Sequence, residues 1–194
     1  MRSFVFVIFL FFLFPFGCGY HWQQKINPWK NRGIEKVYVE ILKNNSLKAG
    51  AEVPFTSALV KMFSRGNKVR VVSEPTAADA IVQGAIDSIS SSIGPRSTVP
   101  TLTTDPQAAT ISDMLVATEY QVSAALTVTL VDQKSKSVLW SQGFSGNKFY
   151  PGNNRFGLVG NTSALINDSQ QQLALQDIAQ ILASDVYDTM LEVF

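Results

Sequence analysis

The longest regular pattern in the chain is an alternation of apolar and polar residues over positions 119–132, which read EYQVSAALTVTLVD. One side of this stretch carries Tyr120, Val122, Ala124, Leu126, Val128 and Leu130. The other side carries Gln121, Ser123, Ala125, Thr127 and Thr129. A period of two predicts a β-strand with one face covered and the other facing water or a partner. The chain is therefore expected to contain a sheet that is covered on one side.

Shorter patterns predict the strands that would complete this sheet. Residues 35–42 alternate in the same way, and residues 68–73 and 78–90 are also expected to be strands. Gly84 is expected to mark a bulge in the last of these. Residues 138–146 follow a polar turn and are expected to pair antiparallel with the central strand, with Val138, Trp140, Gln142 and Phe144 on one side.

Two segments have the apolar spacing of helices. In residues 54–64 the apolar positions share one helical face, with Pro54 in the first turn and Gly66 at the end. Those positions are Phe55, Leu59, Met62 and Phe63. A second helix is expected from about residue 163, with a stripe formed by Ile178, Ile181, Leu182, Val186 and Met190. The expected fold is α+β, with two helices packed on one face of a four- to five-stranded mixed sheet.

Residues 90–113 differ from the rest of the chain because they are rich in Ser, Thr and Pro and poor in large apolar residues. They are expected to form a long loop or the mobile tip of a hairpin. Long loops within compact domains are often functional.

The N-terminus has the order of an export signal. Arg2 precedes an apolar block over residues 4–14, which is shorter than the roughly 20 residues that cross a bilayer as a helix. Gly17 and Cys18 follow this block. The segment resembles a bacterial lipoprotein signal, although Pro15 and Phe16 depart from the usual pattern. An ordinary signal peptide, or an uncleaved anchor with an incidental cysteine, is the alternative.

The lipoprotein interpretation divides the chain into three parts. Residues 1–17 are the expected signal peptide, residues 18–35 a linker that begins at the acylated Cys18, and residues 36–194 a single α/β domain. Acylation gives a role to the single cysteine, which has no partner for a disulfide. Gly19, rather than Asp, follows the cysteine and favours the outer membrane, with the domain on the periplasmic side or within a barrel lumen.

The composition lacks the parts of most catalytic sites. The chain has one cysteine and one histidine, His21, and it contains no phosphate-binding GxxxxGK[ST] loop. The formal net charge of +1 gives no basic surplus for nucleic acid. We therefore expect no enzyme activity, no metal, no cofactor and no nucleic-acid partner. A hydrolase with a pair of carboxylates stays open as an alternative.

Five basic residues lie in segments that are expected to be loops: Arg96, Lys134, Lys136, Lys148 and Arg155. If these loops gather at one end of the sheet, their side chains could bind anionic phosphates. The alternative is that they are solvated turn residues that protect edge strands from pairing.

Four short segments, in order along the chain, resemble the LptE family of outer-membrane lipoproteins. They are CGYH at residues 18–21, ATEYQV at 117–122, VLW at 138–140 and ALINDSQQQL at 164–173. The resemblance implies two helices on a four-stranded sheet and no catalysis. It also implies a role as the plug of an LptD-like β-barrel and contact with lipopolysaccharide.

The chain departs from the family at two positions. Asp113 and Asn167 stand where the resemblance would place basic residues linked to lipopolysaccharide contact. A ring-forming secretion-pore lipoprotein, or an activator of a wall synthase, has a similar strand–helix–strand opening and is the alternative function. The oligomeric state distinguishes these classes, because a pore subunit forms rings and a plug pairs with one barrel.

Overall fold

The computed structural model describes residues 27–94, 96–101, 112–117, 119–152 and 162–192. The strands are β1 (Lys36–Val39), β2 (Lys43–Asn44), β3 (Arg70–Val71), β4 (Ala80–Ile93), β5 (Arg96–Thr101), β6 (Ser112–Ala117), β7 (Glu119–Asp132) and β8 (Val138–Pro151). The helices are α1 (Glu52–Gly66) and α2 (Thr162–Glu192). Short 3-10 turns span Pro28–Arg32 and Pro75–Ala77. The expected α+β class is confirmed.

The main sheet has six strands in the order β3-β1-β4-β7-β8, with β2 also paired to β4. β1 runs parallel to β3 and β4, while β4, β7 and β8 are antiparallel. The sequence predicts one strand fewer. The additional strand is β2, whose two residues are too short to show an alternating pattern.

The helices cover one face of this sheet. On β7 the even-numbered positions from Val122 to Leu130 are buried, whereas the odd-numbered positions between them are only partly covered. Residues Phe55, Leu59 and Phe63 of α1 pack against this face. Each large apolar side chain that is fully buried stabilises the fold by about 1.5–3 kcal/mol. The alternation of β7 therefore defines the two sides of the whole sheet.

The stripe predicted for α2 holds at four of its five positions. Ile178, Leu182, Val186 and Met190 are buried, but Ile181 is 53 % exposed. The helix buries Leu175 and small residues next to α1 instead, because α2 packs against both the sheet and α1.

Gly66 shows how closely α1 and α2 approach each other. A Cβ at this position would lie 1.9 Å from the hydroxyl oxygen of Tyr187 in α2. The Tyr187 ring also packs edge-on against Phe63, with the ring centroids 5.2 Å apart. The helix ends at Gly66, and Asn67 adopts the left-handed conformation that closes it (φ 51°).

The segment before β1 is packed against the helices. Trp29 and Ile34 lie in the stretch that the sequence assigns to the linker, yet both are buried. The indole N–H of Trp29 donates a hydrogen bond to the carbonyl oxygen of Met190, at 3.3 Å. The packed part of the chain therefore begins before β1, and its anchor is one aromatic residue within a polar stretch.

Two local predictions about the strands are wrong. The irregularity in β4 lies between Ile86 and Ser88, not at Gly84. Gly84 is instead a site of close approach, because a Cβ there would lie 2.4 Å from the carbonyl oxygen of Thr127. A second irregularity, where β7 pairs with β8, leaves Val138 61 % exposed rather than on the side of Trp140.

The polar region at residues 90–113 forms part of a hairpin. β4 continues to Ile93, and β5 pairs antiparallel with β6, from Arg96 opposite Ala117 to Thr101 opposite Ser112. The hairpin alternative, rather than the open loop, describes these strands. Residues 102–111 lie outside the described part of the chain.

Candidate interaction surfaces

The face of the sheet away from the helices is a continuous polar surface, which we call the uncovered face. The register of β4, β7 and β8 places their side chains in rows across it. Its members are Gln83, Ala85, Ser88, Ser90, Ser92, Gln121, Ser123, Ala125, Thr127, Thr129, Ser141, Gly143, Ser145, Asn147 and Phe149. Hydroxyl, amide and small groups make up nearly all of it.

Hydrogen bonds between neighbouring strands organise this face. The Thr129 and Ser141 hydroxyls lie 3.0 Å apart, and the Thr127 hydroxyl donates to the carboxylate of Asp87 at 2.8 Å. Asp87, at the irregularity of β4, brings a carboxylate to this side, and so does Glu119 at the start of β7, whereas the fifteen members named above are neutral. Neutral hydroxyls and amides lose less free energy on leaving water than charges do, so this face suits burial against another polar surface.

The outer edge of β8 is a second candidate surface. β8 is fourteen residues long, and within the described residues only β7 pairs with it. Alternate backbone N–H and C=O groups of an edge strand point outward and can pair with another chain. Lys148 and Pro151 are residues of the kind that discourage such pairing.

The four basic candidates within the described residues do not gather at one end. Lys134 and Lys136 lie in the turn between β7 and β8, and the ammonium of Lys136 donates to the Gln133 side-chain oxygen at 2.7 Å. Lys148 lies opposite Val122, ten residues along β7 from Asp132, or about 33 Å away. These lysines cannot bind one phosphate group together.

Lys148 is paired within the fold. Its ammonium forms an ion pair with the carboxylate of Asp177 on α2. Arg96 begins β5 opposite Ala117 at the other end of the molecule from the β7–β8 turn. Arg155 and Cys18 lie outside the described residues.

The two positions where the chain departs from the family are on different elements. Asp113 lies on β6 opposite Pro100, and Asn167 lies on α2. Sequence reasoning identified the polar side of β7 but not the rows on β4 and β8 that extend it. The run of serines at 88–92 was a usable signal, because it alternates in register with β7.

The β7–β8 turn holds a carboxyl group whose pKa departs clearly from its ordinary value. The backbone N–H and then the hydroxyl of Ser135 donate to Asp132 and hold its pKa below the usual 3.8. The bonds to Oδ1 measure 2.7 Å and 2.9 Å. Asp132 therefore fixes the turn that carries Lys134 and Lys136.

The described residues hold no group of three or more His, Cys, Asp or Glu side chains arranged to bind a metal ion. Within the same ranges no helix combines the length and hydropathy needed to cross a bilayer. Burial raises the pKa of the Tyr187 phenol, which lies between the two helices.

Two helices on one face of a mixed sheet, with the other face polar and uncovered, define a two-layer α+β domain. The model of the LptE family, described as lipopolysaccharide-assembly, matches residues 34–190. The chain belongs to this family. The resemblance seen in the short sequence segments is confirmed by this match over most of the chain.

Comparison with curated proteins finds no match. Among solved structures, the PelC dodecamer from Paraburkholderia phytofirmans is 15% identical, covering 79% of this chain and 86% of that chain, with a TM-score of 0.43. The rare lipoprotein B from Shewanella oneidensis is 14% identical, covering 81% and 95%, with a TM-score of 0.42. A lipoprotein B from Nitrosomonas europaea is 15% identical, covering 79% of each chain, with a TM-score of 0.42.

Proposed function

We propose that this protein is a non-enzymatic outer-membrane lipoprotein that assembles with, and plugs, an LptD-like β-barrel that delivers lipopolysaccharide to the cell surface. The observation that carries the proposal is the match of the lipopolysaccharide-assembly family over residues 34–190. Acylation of Cys18 would tether the domain to the membrane, because several buried acyl chains give a lasting anchor.

The uncovered face supports the barrel partnership on physical grounds. The interior of an outer-membrane barrel is polar, and its strands present polar side chains to the lumen. The rows of hydroxyl and amide groups on β4, β7 and β8 offer donors and acceptors to such a wall. We propose that this face contacts the barrel, while the helices stabilise the sheet from behind.

The basic candidates enter this proposal unequally. Lys148 already pairs with Asp177, so its charge is compensated within the fold. Arg96 is the described candidate at the hairpin end of the molecule that could contact the phosphates of lipopolysaccharide. Arg155 is a further candidate from the sequence.

The test is purification of the tagged full-length protein from its own outer membrane in detergent, followed by mass spectrometry. We expect a large β-barrel in one-to-one ratio with this chain, and a mass that includes acyl groups on Cys18. A homo-oligomer without a barrel would contradict the plug and favour a ring-forming lipoprotein. A barrel complex with an unmodified Cys18 would contradict the anchor alone.

A further inference from the structure

The domain has two distinct ends along the strand direction. The near end comprises residues 27–36, 65–70, 74–79, 132–137 and 187–192, and it contains the first described residues of the chain. Asp79 ties this end together: its carboxylate accepts from the N–H groups of Glu35 and Lys36 at 3.0 Å and 2.9 Å. Its backbone carbonyl accepts from the N–H of Gln133 at 2.9 Å. The β5–β6 hairpin lies at the far end.

Positive charge is concentrated at the near end. It carries Lys30, Arg32, Lys36, Arg65, Lys68, Arg70, Lys134 and Lys136. It also carries the acidic residues Glu35, Glu74, Asp79, Asp132, Asp188 and Glu192. The eight basic residues outnumber the six acidic ones, whereas the other described residues hold five basic and eight acidic side chains. The domain is therefore electrically polarised along the strands.

Two cations outside the near end form ion pairs within the fold. In the rest of the described chain Lys48 pairs with Asp168 at 2.7 Å, and Lys148 pairs with Asp177. At the near end the charged groups of Lys36, Arg70 and Lys134 are exposed, and they form no ion pair with the described residues. Lys36 and Arg70 also lie side by side at the starts of β1 and β3.

Two of the acidic groups at this end are engaged by the backbone. Asp79 accepts hydrogen bonds from the N–H groups before β1, and Asp132 accepts them from the β7–β8 turn. Both carboxylates are thereby held close to the main chain, from where the charge of Asp132 also attracts that of Lys134. Lysine and arginine side chains are longer than those of aspartate and glutamate and can keep their charged heads in water.

The length of the preceding chain relates this end to a tethered Cys18. Nine residues lead from Cys18 to Asn27, and they can span at most about 30 Å when fully extended. They include one further lysine, Lys25. The tether alone limits the distance between the domain and the membrane but does not fix the orientation of the domain. Basic side chains are attracted to an anionic leaflet within about one Debye length, ~8 Å, and this attraction can orient the domain.

We propose that the near end docks on an anionic phospholipid surface through Lys30, Lys36, Arg70, Lys134 and Lys136, and so orients the domain with its β5–β6 hairpin away from that surface. This inference rests on the proposed acylation of Cys18 for its tether. The charge complementarity of the near end is independent of the acylation.

The test places a polarity-sensitive fluorophore on the full-length acylated chain through Ser135→Cys, between Lys134 and Lys136. The labelled protein is reconstituted in vesicles of phosphatidylcholine, alone or with added phosphatidylglycerol. We expect enhanced emission in the anionic vesicles only, and its loss at high salt. A label at Ser92→Cys, at the far end of β4, is the control that should not respond.

Charge-removing variants complete the test. The pair Lys134→Gln and Lys136→Gln should weaken the phosphatidylglycerol response by about tenfold or more, since each cation near such a surface contributes roughly fivefold. The pair Lys43→Gln and Lys61→Gln removes the same charge elsewhere and should leave it unchanged. Equal emission in both vesicles, an equal loss from both pairs, or a response to lipopolysaccharide alone would overturn the proposal.

The mass of the purified chain shows whether Cys18 is acylated, so failure of the anchor can be distinguished from failure of the docking proposal. If Cys18 is found unmodified, the anchor fails, and the same labels are then tested in a Cys18→Ser background. A phosphatidylglycerol response in that background would uphold the charged surface, and its absence would overturn it.

Discussion

The covered and the uncovered faces alternate along the same strands, yet they differ in size, polarity and burial. On β7, Val122 and Val128 are fully buried beneath the helices, while Ser123 and Thr127 between them are partly open. The covered face stabilises the fold through apolar burial. The uncovered face contributes little to that core and is free to serve a partner.

The same contrast explains why both faces are so regular. A slip of one residue in register would move every apolar side chain of β7 to the open side, so the core fixes the register. The polar rows on β4 and β8 are then aligned as a consequence of the core. The alignment of side chains on the uncovered face is therefore set by the packing of the buried face behind it.

Truncating a side chain on each face should show the largest difference between the two faces in the free energy of unfolding. We expect Leu130→Ala to lower the free energy of unfolding by about 2–5 kcal/mol, because it leaves a cavity under the helices. Thr129→Ala, its neighbour on the uncovered face, should change it by about 0.5 kcal/mol or less. Urea unfolding of both variants is the measurement, and similar losses from the two would contradict the contrast.

Two glycines allow the faces to be compared by the space that each leaves for an added Cβ atom. Gly84→Ala should destabilise the fold by about 1–3 kcal/mol, because the new Cβ would lie 2.4 Å from the Thr127 carbonyl oxygen. At Gly143 the nearest atom to such a Cβ is the Thr127 hydroxyl, at 3.9 Å. Gly143→Ala should therefore be neutral in thermal unfolding, and a large loss there would show that the uncovered face is more crowded than described.

The ion pair at the margin of the covered face should have a small effect. Lys148 and Asp177 keep 42 % and 49 % of their side chains exposed, so solvent screens their attraction. Lys148→Ala should cost about 0–1 kcal/mol in urea unfolding, and less as salt is raised. A loss of several kcal/mol that is insensitive to salt would mean that the stem of Lys148, rather than its charge, stabilises the sheet.

The smallest expected effect is the pH dependence of the stability that Asp132 contributes in the β7–β8 turn. The pKa of Asp132 is lower in the folded chain than its usual 3.8, so its ionised form stabilises the turn above that pH. The contribution is lost as the pH falls through the folded pKa. Asp132→Asn should lower the urea midpoint at neutral pH, and the difference should shrink in acid; a difference that grows in acid would contradict this assignment.

Much of the fold could be predicted from apolar spacing. The alternation of β7 and the stripe of Ile178, Leu182, Val186 and Met190 follow directly from their periods of two and about 3.6. The prediction that Ile181 is buried was wrong because α2 packs against both α1 and the sheet, so tertiary packing decided which residues were buried. The buried Trp29 could not be predicted from its polar neighbours, since its partner Met190 is distant in sequence.

The candidate surfaces were less predictable than the core. Whether loop lysines gather depends on strand directions, and these place Lys136 and Lys148 toward opposite ends of β8. The ion pair of Lys148 with Asp177 joins two elements whose register sequence spacing does not specify. Cys18 and Arg155 lie outside the described residues, so their roles stay predictions.

The central claim is that the uncovered face contacts the barrel, and site-specific photo-crosslinking in the native outer membrane tests it most directly. A photoreactive residue at Ser145, exposed on that face midway along β8, is compared with one at Gln180, exposed on α2. The account predicts a strong crosslink from Ser145 to a large β-barrel and a much weaker one from Gln180. A barrel crosslink from Gln180 alone, or a crosslink from Ser145 only to a second copy of this chain, would contradict it.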